Sequence, residues 1–210
     1  MNPSTGVKDL IVLAADRSMK LSVEALLARH QDLGIRSISF DVFAHPDNDP
    51  GVLHRAHEFL RPQLRRYRCA LAICDREGCG KESSSREKLE QIIEQGLSVN
   101  GWEGRAAAVM IDPELEVWVW GDWSVLATSI RGIDTVVSLR QFLNKHEFLQ
   151  PHQSKPPRPK EALQAAMKHV QIPFTSAIHQ SMAAQAAFAQ CIDPAFLKLR
   201  KTLREWFPSR

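Results

Sequence analysis

Residues 69–80 read Cys-Ala-Leu-Ala-Ile-Cys-Asp-Arg-Glu-Gly-Cys-Gly. The apolar run Cys69–Cys74 is short and uninterrupted, which is the pattern of a buried strand. It ends on Asp75, and Gly78 and Gly80 then allow the backbone to turn tightly. A strand that closes on carboxylates and glycines decides how the rest of the chain is read.

Working outward, the same unit recurs. Leu10–Ala15 is a buried strand, and Val23, Leu26, Leu27 and His30 follow at helical spacing up to Gly34. Ile35–Phe43 reads as the second strand. Asp49-Pro50 reads as a helix start, an N-cap side chain followed by proline in the first turn. Leu53, Ala56, Leu60 and Leu64 form the apolar stripe of that helix, and Pro62 shortens or kinks it. After the quoted strand, Ser84-x-x-Glu87 has the form of a capping box, with Leu89, Ile92, Ile93 and Leu97 on one face. Ala106–Ile111 is the fourth strand. Asp112-Pro113 repeats the cap-and-proline start, predicting a helix through Trp118 and Trp120, although the Val/Trp alternation there also fits a strand.

The order βαβαβαβα implies parallel pairing with right-handed crossovers. The fold class is therefore α/β, a mostly parallel four-stranded sheet flanked by helices, with a C-terminal helical extension. The domain division expected is an α/β domain over 1–149, a stiff proline-rich linker over 150–160 and a helical extension over 161–210. Three helices are expected after the linker, the second around 176–190 and the third starting at Asp193-Pro194.

The chain has 210 residues, 44% hydrophobic and 24% charged, with a net charge of +3. That balance allows a real core and does not by itself imply nucleic acid. The charge is unevenly distributed: 18 Lys/Arg against 21 Asp/Glu up to residue 150, and 9 against 3 beyond it. An acidic body with a basic tail bears on partners, although a solvated helical face gives the same count. Cys69, Cys74, Cys79 and Cys191 form no disulfide framework and are read as reduced thiols, which places the chain in the cytoplasm. No signal peptide or membrane span is expected.

Carboxylates follow every strand: Asp16 after the first, Asp47 and Asp49 after the second, Asp75 and Glu77 after the third, Asp112, Glu114 and Glu116 after the fourth. Parallel sheets bind ligands outside the carboxyl ends of their strands, and gathered carboxylates favour a hard cation such as Mg²⁺ or Mn²⁺. The expected metal ligands are Asp75, Glu77, Asp112 and Glu116, with Asp16, Asp75 and Glu77 as catalytic groups. The bland alternative is that these acids are helix caps and salt bridges. Other constellations are weaker. His54-x-x-His57 lacks a zinc module's spacing, Cys79 has acidic neighbours that blunt a nucleophile, and no phosphate-binding glycine motif or serine elbow occurs. Trp102, Trp118, Trp120 and Trp123 read first as core or interface anchors and second as base-stacking platforms.

The strand order and the acid pair after the third strand resemble the Toprim domain of topoisomerases, primases and OLD-type nucleases. More closely, CDREGCG (74–80), IDPELEVWVW (111–120), PKEAL (159–163) and DPAFLKL (193–199) are similar to a Toprim-like family of small bacterial proteins found in antiphage defence clusters, including a methylation-associated defence system. The resemblance covers nearly the whole chain. It implies a Mg²⁺-dependent phosphodiesterase or nuclease acting with other proteins of a defence operon, on nucleic acid, DNA ahead of RNA. Lys155, Arg158, Lys160, Lys198, Lys201 and Arg204 of the basic tail would grip the phosphate backbone. The sequence departs from the Toprim pattern in two places: Asp16 stands where glutamate is usual, and Asp75-x-Glu77 where Asp-x-Asp is usual. Those departures leave open a second reading, a non-catalytic interaction subunit whose tryptophans and C-terminal helices are contact surfaces.

Overall fold

The structure is a computed structural model and describes residues 6–130, 133, 135–185 and 191–209. Its sheet has four strands, β1 (Lys8–Ala14), β2 (Phe40–Ala44), β3 (Tyr67–Asp75) and β4 (Ala106–Ile111), in the order β2-β1-β3-β4. All three pairings are parallel, with Val12 facing Val42 and Leu71, and Ile73 facing Val109. The α/β class read from the strand pattern is the one observed. The helices are α1 (Arg17–Ala28), α2 (His30–Leu33), α3 (Asn48–Leu60), α4 (Arg86–Leu97), α5 (Glu116–Val119), α6 (Trp123–Ser129), α7 (Val136–Lys145), α8 (Pro159–His169), α9 (Ser176–Gln185) and α10 (Pro194–Trp206). No helix among the described residues is long and apolar enough to cross a membrane.

The two central strands, β1 and β3, are buried beneath the flanking helices, while β2 is partly exposed. Leu10–Ala14 of β1 and Ala70–Cys74 of β3 are wholly inaccessible. β4 is an edge strand, and its outward backbone groups are met by side chains of α4. Glu94 Oε1 accepts from Ala108 N at 3.0 Å and Glu90 Oε1 from Met110 N at 3.0 Å. Lys198 of α10 then bridges both carboxylates, at 3.1 Å to Glu90 and 2.7 Å to Glu94. An unpaired edge is thereby closed by charge-balanced acceptors, Glu90 buried and Glu94 partly so.

Several element boundaries differ from the sequence reading. β2 begins at Phe40, not Ile35. Ile35 forms a bridge with Pro208, and Arg36 N donates to Phe207 O at 3.1 Å, so this stretch receives the C-terminus. Asp49 does not cap α3. The helix starts one residue earlier at Asn48, placing Asp49 in its first turn with its carboxylate free for another bond. The tight β2–α3 connection depends on Gly51, where any Cβ would overlap the His45 ring. Burial, then the Arg55 charge, hold His45 below its ordinary pKa, so its Nδ1 accepts the Asp47 N–H. The α4 cap is Ser85, which accepts from Lys88 N, while Ser84 N is used in the preceding turn on Lys81 O. Asp112-Pro113 starts no helix; α5 begins at Glu116 and is a single turn. Asp193 does cap α10, accepting from Ala195 N and Phe196 N.

The stretch read as a linker, 150–160, is pinned to the protein. Trp120 Nε1 donates to Pro159 O at 2.9 Å, Trp123 Nε1 to Ser154 O at 3.1 Å, and Lys155 Nζ to Val117 O at 2.9 Å. A second apolar cluster joins Trp120, Leu126, Leu139 and Leu143 to Leu163, Met167 and Met182. The boundary drawn at residue 149 therefore runs through one cluster, and α10 belongs to the cluster around the sheet. Residues 186–190, at the end of the expected second helix, lie outside the described residues.

Candidate functional site

The strand order places the switch point between β1 and β3, where the carboxyl ends of parallel strands leave a crevice. The Arg76 amide donates to Ile111 O on the β4 side at 2.8 Å. By strand alternation the Asp75 amide faces the β1 side, where β1 has already ended at Ala14. Asp49 fills that gap, its Oδ1 accepting the Asp75 N–H at 2.7 Å. The acid read as a helix cap thus finishes the third strand.

Asp75 is only partly accessible, and its Oδ1 is buried without a hydrogen-bond partner. Glu116, the first residue of α5, is 3% exposed. Its Oε1 lies 2.9 Å from His179 Nε2 of α9, while its Oε2 is buried and unpartnered. The end of β3 and the start of α5 therefore each present one carboxylate oxygen with no proton donor, against the usual rule that buried polar atoms are satisfied. Burial pushes the Asp75 carboxyl well above the ordinary range, and the Asp49 and Glu116 charges add to this, with Lys160 opposing. Burial also raises Asp49, with Asp16 adding and the Asp75 amide opposing. Glu114 is raised by burial and then by Glu116.

Lys160 is the cation of this cluster. Its backbone N–H donates to Glu114 Oε1 at 2.9 Å, and its ammonium lies 3.5 Å from Oε2. Burial alone would lower its pKa, but Glu116, Glu114 and Asp75 together raise it. Proline in the first turn of α8 brings Lys160 here, because the Pro159 carbonyl is held by Trp120.

The expected four-ligand set is not assembled as read. Glu77 has an exposed side chain, and its amide bonds Pro113 O at 2.9 Å. Asp112 is ion-paired with Arg76, whose Nε lies 2.9 Å from Oδ1 but at an angle that makes no hydrogen bond. Among the described residues no three His, Cys, Asp or Glu side chains are grouped to hold a metal ion. Asp16 is exposed and caps α1, its Oδ1 accepting from Met19 N at 2.8 Å. What the structure gathers instead is Asp75, Glu116, Glu114, Asp49, Lys160 and His179. Gly78 and Gly80 do adopt left-handed backbone, with φ of +82° and +83°. Burial raises the Cys79 thiol, which disfavours the thiolate form that a nucleophile uses.

The basic tail is mostly engaged within the chain. Lys155 and Lys160 are held as above, Lys198 by Glu90 and Glu94, and Arg204 Nε by Leu33 O at 2.7 Å. Lys201 and Arg158 are exposed, Lys201 lying 3.8 Å from Glu205. The tryptophans are anchors: Trp118 Nε1 donates to Asp193 and its ring meets Phe196 edge-on, and Trp102 is wholly buried.

Comparison of the chain with family models, with curated proteins and with solved structures returns no match.

Proposed function

We propose that the carboxyl edge of the sheet binds one divalent cation, Mg²⁺ or Mn²⁺, and that the chain is a Toprim-like phosphodiesterase or nuclease of a bacterial antiphage defence system. It would work in the cytoplasm on nucleic acid, alongside proteins of the same operon. The observation that carries this reading is the pair of buried, unpartnered oxygens, Asp75 Oδ1 at the end of β3 and Glu116 Oε2 at the start of α5. Both are hard donors. A site with one or two carboxylates and otherwise water and substrate phosphate is the habit of Mg²⁺, so two donors fit it where four were expected.

A bound ion of this kind polarises a phosphodiester and lowers the pKa of an attacking water. The chain's own residues prepare the place. Asp49 fixes the end of β3 and with it the direction of Asp75. Glu114 anchors the start of α8, and Lys160 offsets part of the local negative charge. Asp16 is exposed at the start of α1, and its charge adds to the raising of Asp49.

The test is metal-dependent cleavage of duplex DNA, single-stranded DNA and RNA by the full chain, alone and with its operon partners. Cleavage that needs Mn²⁺ or Mg²⁺ and is lost in Asp75→Asn supports the reading. Cleavage that survives chelation or this substitution contradicts it. The engagement of Lys155, Lys160, Lys198 and Arg204 inside the chain favours a second reading, an interaction subunit. Its mark is a partner complex indifferent to Mg²⁺ and to Asp75→Asn.

A further inference from the structure

His179 lies 63 residues beyond Glu116 and shares no motif with it, yet the two meet at 2.9 Å with 1% and 3% exposure. The contact is built from several directions. Helix α9 packs along α1, with Ser176 Oγ 3.0 Å from Ser18 Oγ and Arg29 donating to Ala183 O. The imidazole stands edge-on to the Phe174 ring at 5.0 Å, and its Nδ1 faces Thr175 O at 3.3 Å. The ring thus has an oxygen facing each nitrogen and the Phe174 ring on one flank. Glu116 sits on a single-turn helix, and the partner that its carboxylate meets, His179, comes from outside that turn.

We infer that His179 is a positioning residue for the cation site: it ties down Glu116 Oε1 and leaves Oε2 as the oxygen presented toward the end of β3. This rests on the reading of Asp75 and Glu116 as cation donors. Carboxylate ligands are commonly oriented by such an outer partner, whose loss costs about 10–100-fold in metal affinity. No adjacent sequence feature could have nominated His179, because the pairing is made by the packing of α9 on α1.

Two substitutions of similar size separate donor from packing. The amide nitrogen of glutamine reaches the place of Nε2, whereas that of asparagine reaches only the place of Nδ1. Mn²⁺ binding by the full chain, followed by calorimetry and by the loss of the free-ion paramagnetic signal, is compared for the wild type, His179→Gln and His179→Asn. The inference predicts affinity within about threefold of wild type for His179→Gln and a loss of about tenfold or more for His179→Asn. Equal affinities in both variants, whether intact or equally weakened, overturn it, since packing alone would then account for the residue. If His179→Asn does not fold, a His179→Gln protein that folds but binds more than tenfold weaker overturns it as well. A wild type that binds no Mn²⁺ removes the cation reading itself and this role with it. That failure differs from a wild type that binds while the variants do not separate.

Discussion

Asp49 Oδ1 receives the backbone N–H of Asp75 at 2.7 Å. A helix side chain thereby completes a strand whose neighbour has stopped short, and the amide of the key acid is fixed by another acid. Asp49→Ala leaves a buried N–H without a partner, a cost of about 1–3 kcal/mol. Asp49→Asn keeps the acceptor oxygen and should retain most of that stability. Urea unfolding of both variants checks this; equal losses would mean that charge, not the hydrogen bond, is what matters.

The chain has one tyrosine, and Tyr67 Oη donates to Asp41 Oδ2 at 2.5 Å. Burial, then Asp41, raise the phenol from 10.0 to about 12. A pKa raised by folding contributes stability that is complete below the unfolded value and lost as pH climbs through the folded one. The contribution is therefore present below pH 10.0 and disappears toward about 12. Ultraviolet titration of phenolate reads this residue alone. The midpoint should lie near 12 in the native protein and shift down in Asp41→Asn; a native midpoint at the ordinary value would refute the buried pair.

Lys198 was expected to hold phosphate and instead bridges the two carboxylates that close β4. Removing it leaves Glu90, 3% exposed, with a reduced counter-charge. Lys198→Ala should cost about 1–3 kcal/mol, while Lys201→Ala on the exposed face stays within about 0.5 kcal/mol. Thermal denaturation of the two variants decides this, and equal small effects would return Lys198 to the pool of surface cations.

Trp120 and Trp123 hold the carbonyls of Pro159 and Ser154. Trp120→Phe keeps most of the apolar volume and loses the indole donor. Segment 154–160 should then open to trypsin at Lys160, the basic residue of the segment not followed by proline, far sooner than in the wild type, while the sheet stays intact. Unchanged cleavage would mean that the segment is held by its prolines alone.

What local sequence could reveal was the sheet. Uninterrupted apolar runs gave the strands, and Asp193-Pro194 gave the start of α10, because cap and stripe are written within a few residues. The start of β2 was misplaced because Ile35 and Arg36 bind the far C-terminus, a pairing no local window contains. The candidate site divides in the same way. Asp75 and Glu116 were visible from their positions after strands. Asp49 looked like a cap because Asp-Pro is a strong cap signal, and Lys160 looked like a phosphate ligand because the linker looked free. Glu114 stood in plain sight between Asp112 and Glu116, but the helix expected at Asp112-Pro113 would have turned it elsewhere. His179 carried no signal at all.

If Asp75 and Glu116 together hold a divalent cation, calorimetric titration of Mg²⁺ into the wild type, Asp75→Asn, Glu116→Gln and Glu77→Ala will separate them. One saturable site is expected in the wild type and in Glu77→Ala, and its loss in Asp75→Asn and in Glu116→Gln. Binding that survives both of those substitutions, or no binding by a folded wild type at millimolar Mg²⁺, would contradict it and leave the buried acids as structural partners of Lys160 and His179.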